Sequence, residues 1–362
     1  MMKFKIMCIK NLDKIEEKSR HSYTGLLSDP MMGTKGVILI NVGTPDQPTV
    51  ESVRYYLREF LLDPNVIDAP YVIRHLLVRG LILRFRPRKI APRYQEIWME
   101  EGSPLRVYTG RMTKAIQSKL SDEIVVEYGM RYGNPTIRSA LERLRNRGVD
   151  ELLVAPLFPQ YAQATTETSR FAVDFQMKQM GWKPTVKQWD DFYENPAFIE
   201  PLTNSIRGEI NEKTHLLFSF HGLPLSHIRR VKRLGKPNYV EHCESTVSSV
   251  VKKLGLNESQ WSMSYQSRLG PVRWLTPSTD SVVKNLGKRG IENLVIVSPA
   301  FVADGLETLE ELDIEAREIF KDSGGGDVTV INCLNDNEQW IEGVKSLIIQ
   351  GFENPRNSVF SK

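Results

Sequence analysis

Two short stretches carry side chains suited to proton and metal chemistry. His221 lies in FSFHGLP, where an apolar run stops against a glycine and a proline. Gly222 and Pro224 block smooth continuation as strand or helix, so the imidazole is held at a sharp turn. A histidine so placed can act as a base near neutral pH or as a metal ligand. The plainer alternative is a structural histidine bonded to its own loop. The second stretch is ADGLETLEELDIE, ending at Glu315. Glu307, Glu311 and Glu315 recur at a spacing that puts them on one face of an α-helix. A row of carboxylates can hand on protons or hold a hard cation; the alternative is a solvated acidic face. Opposite a histidine, Glu307 would complete a mixed nitrogen and oxygen site suited to a divalent transition metal. No close-spaced metal motif such as HExxH is present, so this pairing is inferred from organisation.

A third stretch runs from Arg79 to Trp98. It interleaves Arg84, Arg86, Arg88, Lys89 and Arg93 with Phe85, Tyr94 and Trp98. Such a mixture suits a flat ligand bearing carboxylates, because a guanidinium can pair with a carboxylate through two parallel hydrogen bonds. A solvated loop and a weak contact with an anionic membrane surface are the competing readings. His227, in a basic stretch with Arg229 and Arg230, is expected to be exposed.

These residues need a scaffold, and the apolar pattern supplies one. GVILIN from Gly36, ELLVAPLF from Glu151, HLLFSF from His215 and NLVIVSPAF from Asn293 are continuous apolar runs. Runs of this kind fit strands buried on both faces, as in a parallel sheet covered by helices. Helical patterns such as TIRSALERLRNR and TDSVVKNLGK alternate with them. RNRGVDELLVAPLFP echoes GKRGIENLVIVSPAF, and YGMRYGNP echoes YQSRLGP up to Pro271. Gly148 and Gly290 should each cap a helix. The expected fold is α/β, with two similar doubly wound, Rossmann-like domains and a cleft between them. Ligands in such folds bind beyond the carboxyl ends of the strands, where Val42-Gly43, Tyr161, His221 and Glu307 all fall. The domains are expected at 35–170, including a lip at about 75–98, and at 171–340. A C-terminal helix and tail would follow over 341–362, and residues 1–34 would form a disordered extension or an over-long start.

The chain has 362 residues, a formal net charge of +4, 25% charged residues and a 41% hydrophobic set. That is ordinary globular usage with room for two domains. The charge is too mild to argue for nucleic acid. Its three cysteines, Cys8, Cys243 and Cys333, are scattered. They suggest neither a disulfide framework nor a zinc finger, and fall short of the four of a typical iron–sulfur cluster. A reducing cytoplasm is the expected setting. No apolar run is long enough to cross a membrane.

Together these pieces resemble the ferrochelatase family over roughly Lys35 to Phe352. The carrying residues, in the family's order, are LINVGTPD, GSPL, MRYGNP, PLFPQYA, FSFHGLP, YQSRLGPVRWLTP and ADGLETLEELDIE. The resemblance implies insertion of Fe²⁺ into a porphyrin with release of two protons, protoporphyrin IX being favoured over coproporphyrin III. It implies that His221 and Glu307 are the catalytic and metal-binding pair, with Glu311 and Glu315 as an outward relay. It further implies that Arg131, Tyr132, Tyr161 and Trp274 line the porphyrin cleft and that Arg79–Trp98 is a lip over the ring. Fe²⁺ would be a substrate, with no permanently bound cofactor and no iron–sulfur cluster. A monomer without nucleic-acid partners is expected. Two departures are Val42, where some relatives have methionine, and Gly305, where some have histidine or cysteine. A chelatase for another metal and tetrapyrrole, or a non-catalytic porphyrin or haem carrier, are the other readings.

Overall fold

The computed structural model describes Thr34–Glu353. The expected N-terminal extension lies outside these residues except for Thr34, as does the tail beyond 353. Two four-stranded sheets, parallel throughout, form the scaffold, with strand orders β2-β1-β3-β4 and β6-β5-β7-β8. The first contains β1 (Thr34–Thr44), β2 (Ile124–Gly133), β3 (Val149–Pro156) and β4 (Thr185–Gln188). The second contains β5 (Thr214–His221), β6 (Trp261–Gln266), β7 (Asn293–Val297) and β8 (Asp327–Val330). The same order occurs twice, so the repeat in the sequence is a repeat in space.

The register of the repeat differs from the one suggested by sequence. Met130 N–H donates to Pro135 O and Tyr265 N–H to Pro277 O. Pro135 therefore corresponds to Pro277, not Pro271, and the loop after β6 is longer than its counterpart after β2. That longer loop carries Ser267 and Trp274. Gly148 and Gly290 both take positive φ just past a helix end. Gly290 N–H bonds to Gly287 O and Ile291 N–H to Leu286 O, the paired bonds that close a left-handed helix cap.

The central strands are buried along nearly their whole length, since helices cover both faces of each sheet. Ile38, Ile40, Leu152 and Val154 pack on Leu141, Leu144 and Val173 on one face of the first sheet. Leu217, Leu294 and Ile296 pack on Leu286, Leu312 and Phe320 in the second. The remaining faces share one core: Val37, Leu39 and Leu153 belong with Leu216, Phe218 and Phe220. Trp340 of the C-terminal helix Glu338–Glu353 joins that core, 5.8 Å from Phe192 and 5.9 Å from Phe198 between ring centroids. The two halves are thus fused through apolar packing, and burying such aromatics contributes on the order of 2–3 kcal/mol each.

The domain boundary expected at 170 falls short. β4 pairs with β3, so the first sheet continues to Gln188. The C-terminal helix also returns to this half, where Gly351 packs on Leu153 and Trp189. A boundary between 170 and 171 cannot accommodate an edge strand that closes the first sheet.

The segment expected as a lip is helical. A short helix, Tyr71–His75, passes into a π-wound turn, Leu76–Ile82, and then into the lip helix Leu83–Ile97. Pro87 and Pro92 lie inside that last helix and each removes a backbone donor. Its inner side, Leu83, Ala91 and Tyr94, packs with Tyr56, Leu57, Val78 and Tyr132, while Leu306 and Leu269 of the second half approach the same cluster.

Candidate active site

β5 delivers His221 to the carboxyl edge of the second sheet. Gly222 N–H is held by Gln266 O at 2.8 Å, and Tyr239 OH donates to His221 O at 2.9 Å, so the backbone on both sides is fixed. A Cβ added at Gly222 would stand 2.7 Å from Gln266 O and 3.5 Å from the Trp274 ring. Only glycine lets β5 and β6 meet there. Gly43 is under the same constraint at the end of β1, with φ +112° and Tyr132 O 1.8 Å from any added Cβ.

The imidazole Nδ1 lies 2.7 Å from Gly222 O. A carbonyl can only accept, so Nδ1 carries the proton and Nε2 of the neutral ring keeps its lone pair. Burial holds the His221 pKa below the ordinary value, opposed by the Glu307 charge and the Gly222 carbonyl. The ring is therefore a neutral base at pH 7, with a carboxylate near enough to stabilise its protonated form. Phe301 packs against it edge-on, 6.1 Å between centroids.

Glu307 stands in the first turn of a short helix, Leu306–Leu309, that follows Gly305. Gln266 Nε2 donates to Glu307 O at 2.6 Å and its Oε1 accepts from Ser219 Oγ at 2.6 Å, tying this helix to β5 and β6. Asp304, buried just ahead, accepts from Asn335 Nδ2, Cys333 N and Thr308 Oγ1. Every one of these bonds fixes the backbone from which Glu307 projects. An added Cβ at Gly305 would stand 3.3 Å from Glu307 Oε2, so the carboxylate occupies space that a larger residue there would contest. Burial first, and the Glu307 charge after it, raise the pKa of Tyr94 under the lip.

The expectation of a single α-helical face for Glu307, Glu311 and Glu315 is not met. The α-helix stops at Leu309, and Glu311–Ala316 is π-wound. Glu311 turns to Ser267, whose N–H and Oγ donate at 2.6 and 2.5 Å. Ser267 has φ 61°, an uncommon left-handed conformation that allows both donors to reach one carboxylate. Burial nevertheless pushes Glu311 up to about 7, against the two Ser267 bonds. Glu315 leads outward to Arg93 at 2.6 Å. A cavity of about 350 Å³ opens between the lip and the second sheet, with Arg86, Arg93, Ser267, Glu307, Glu310 and Glu311 among its lining residues.

The other expected residues are distributed around this centre. Trp274 pairs through its backbone with Pro224 and packs on Gly222, next to His221. Tyr132 lies buried under the lip, with its OH donating to Asp63 at 2.9 Å. Arg131 pairs with Asp63 at 2.5 Å and bonds Thr168, facing away from the cavity that Glu307 lines. Tyr161 is buried, and its OH donates to Glu167 at 2.6 Å. His227, expected at the surface, is buried because the helix Leu225–Arg233 turns it inward with Val231. Among the described residues, no three His, Cys, Asp or Glu side chains form a metal cage.

Sequence reasoning missed Glu310, Ser267, Gln266 and Asp63. Glu310 was masked by the α-helical spacing of its neighbours, and the others have no signal beyond lying in or near family motifs.

Two facing parallel sheets with a cleft at their carboxyl ends define the chelatase-type fold. SirB from Bacillus subtilis has this fold; its structures with Fe³⁺ and, from subspecies spizizenii, with cobalt align at TM-scores of 0.52 and 0.54. They cover 88% and 89% of this chain and 95% and 97% of theirs, at 11% and 8% identity. The ferrochelatase family model matches residues 34–351. The ferrochelatase of Bdellovibrio bacteriovorus is 39% identical over 88% of this chain and 99% of its own length. Those of Aliivibrio fischeri and Bordetella pertussis are 42% and 41% identical, over 86% and 87% of this chain and 96% and 88% of theirs. The chain belongs to the ferrochelatase family, enzymes of the lyase class that insert iron into porphyrin in haem biosynthesis.

Proposed function

We propose that this chain inserts Fe²⁺ into protoporphyrin IX, with His221 as the base and Glu307 as its partner. The observation that carries this is the His221 tautomer. Gly222 O holds the Nδ1 proton, leaving the Nε2 lone pair of a half-buried neutral ring within the influence of the Glu307 charge. Two pyrrole N–H bonds must break as the four ring nitrogens bind the iron, and both protons must leave the site. His221 Nε2 accepts a proton, Glu307 stabilises the resulting imidazolium, and Glu311, with its pKa near neutrality, passes protons outward with Glu315. The metal is a substrate, so a closed cage of ligands would oppose its transfer.

Arg86 is the natural partner for a porphyrin carboxylate. It lines the cavity, and burial together with Arg93 lowers its pKa, a penalty that an incoming anion would relieve. Trp274 would form the wall beside His221. Arg131, Tyr132 and Tyr161 would hold the outer wall through Asp63, Thr168 and Glu167. Tyr71, Val72, Ile73, Leu76, Leu81 and Phe85 are more than half exposed on the lip, among Arg79, Arg84 and Arg88. That combination supports weak contact with an anionic membrane surface. Among the described residues no helix is long and apolar enough to cross a membrane. A monomeric, cytoplasmic enzyme with no resident cofactor and no nucleic-acid partner completes the proposal.

The test is an anaerobic spectroscopic assay with Fe²⁺ and either protoporphyrin IX or coproporphyrin III. His221→Ala should bind porphyrin yet lose insertion by about 10²–10⁴-fold, the usual scale of base catalysis. Wild-type turnover by a folded His221→Ala protein would remove the assignment.

A further inference from the structure

Arg93 joins parts of the chain that are far apart in sequence. It stands on the lip helix, between Pro92 and the buried Tyr94. Its Nη1 donates to Glu310 Oε2 at 3.1 Å and its Nη2 pairs with Glu315 Oε1 at 2.6 Å. The lip belongs to the first half, and both glutamates belong to the second. The Glu310 side chain is 6% exposed, against 43% for Arg93 and 40% for Glu315. One end of the contact is therefore desolvated, where a charge pair is screened least.

The π-wound turn makes this geometry possible. Glu315 N–H bonds back to Glu310 O, five residues earlier. Residues five apart in an α-helix are rotated by about 140° and could not share one guanidinium. Winding by i→i+5 bonds brings them nearly over one another, so Glu310 and Glu315 close on Arg93 as a fork. Burial and Glu315 push Glu310 up to about 6, while Arg93 opposes both. Glu96 also raises Glu310, while Arg86 faces Arg93 and Glu311.

We propose that Arg93, Glu310 and Glu315 form a clasp that holds the lip closed over the cleft and sets how readily the ring substrate and product exchange. Arg93 is a positioning residue in this role: it does not touch the reacting atoms, and the clasp must open for a macrocycle to pass. The exchange of a macrocycle rests on the proposed porphyrin reaction, but the closure of the lip does not.

Hydrogen exchange of the lip helix in the ligand-free, full-length protein tests closure directly. Arg93→Gln should speed exchange over 83–97 by about five- to tenfold, the effect of losing a half-buried ion-pair fork. Haem dissociation and porphyrin KM should rise by a similar factor. Arg93→Lys, which keeps the charge without the fork, should fall between. The double exchange Arg93→Glu with Glu310→Arg should recover slower lip exchange than either single change. Wild-type lip exchange in Arg93→Gln, or a double variant no tighter than the singles, would overturn the clasp. Wild-type protein that inserts no iron would instead remove the porphyrin reading and leave the lip measurement to decide the clasp.

Discussion

Replacing Glu311 by glutamine should change how stability depends on pH. Its carboxyl is pushed up to about 7 from an ordinary 4.5, first by burial and then by Glu307 and Asp280, against two hydrogen bonds from Ser267. The native state therefore holds this proton more tightly than the unfolded chain. The resulting stabilisation is complete below about pH 4.5 and is lost as pH rises through about 7. A shift of this size corresponds to at most about 3 kcal/mol, and the partial exposure of the segment reduces the expectation to about 2 kcal/mol. Glutamine cannot ionise and escapes the loss. It offers Ser267 one oxygen in place of two, a cost that is the same at every pH. Urea unfolding of both proteins at pH 5 and pH 8 isolates the effect. The stability difference should move by about 2 kcal/mol in favour of Glu311→Gln at the higher pH. Glu310, which titrates near 6 in both proteins, cancels. A difference that stays constant between the two pH values would show that Glu311 is an ordinary solvated carboxylate, and its role as a neutral-pH relay would go with it.

Arg86→Gln should raise the KM for a free-acid porphyrin about tenfold, the worth of one charge-assisted hydrogen bond. A porphyrin methyl ester, read by fluorescence quenching, should bind wild type and variant alike. Gly222→Ala must place its Cβ 2.7 Å from Gln266 O. It should cost about 1–3 kcal/mol in thermal unfolding and displace His221 enough to suppress insertion while far-UV circular dichroism is retained. Trp340→Ala should destabilise by about 3–5 kcal/mol in denaturant titration, because its ring packs on Phe192 and Phe198 in the core shared by both halves.

The central strands were legible because burial on both faces leaves an uninterrupted apolar run, as in GVILIN and HLLFSF. Edge strands gave no such signal. β4 is TVKQ and β8 is DVTV, each part-exposed, and the first-domain boundary was misplaced because β4 could not be seen. Gly148 and Gly290 were legible as caps because a positive φ at a helix end selects glycine. His227 was misjudged from its basic neighbours; helical phase, not local charge, decides which way a side chain faces.

Residue type and local context by themselves determined His221 at a turn after a buried strand and a run of glutamates after another. Those are local properties, written in Gly222, Pro224 and the apolar runs before them. Tertiary structure alone decided that Ser267 takes Glu311 and that Arg93 crosses the cleft to Glu310 and Glu315. The physical reason is the winding of Glu311–Ala316. A change from i→i+4 to i→i+5 bonding rotates every side chain beyond it, and no spacing in the sequence announces that change.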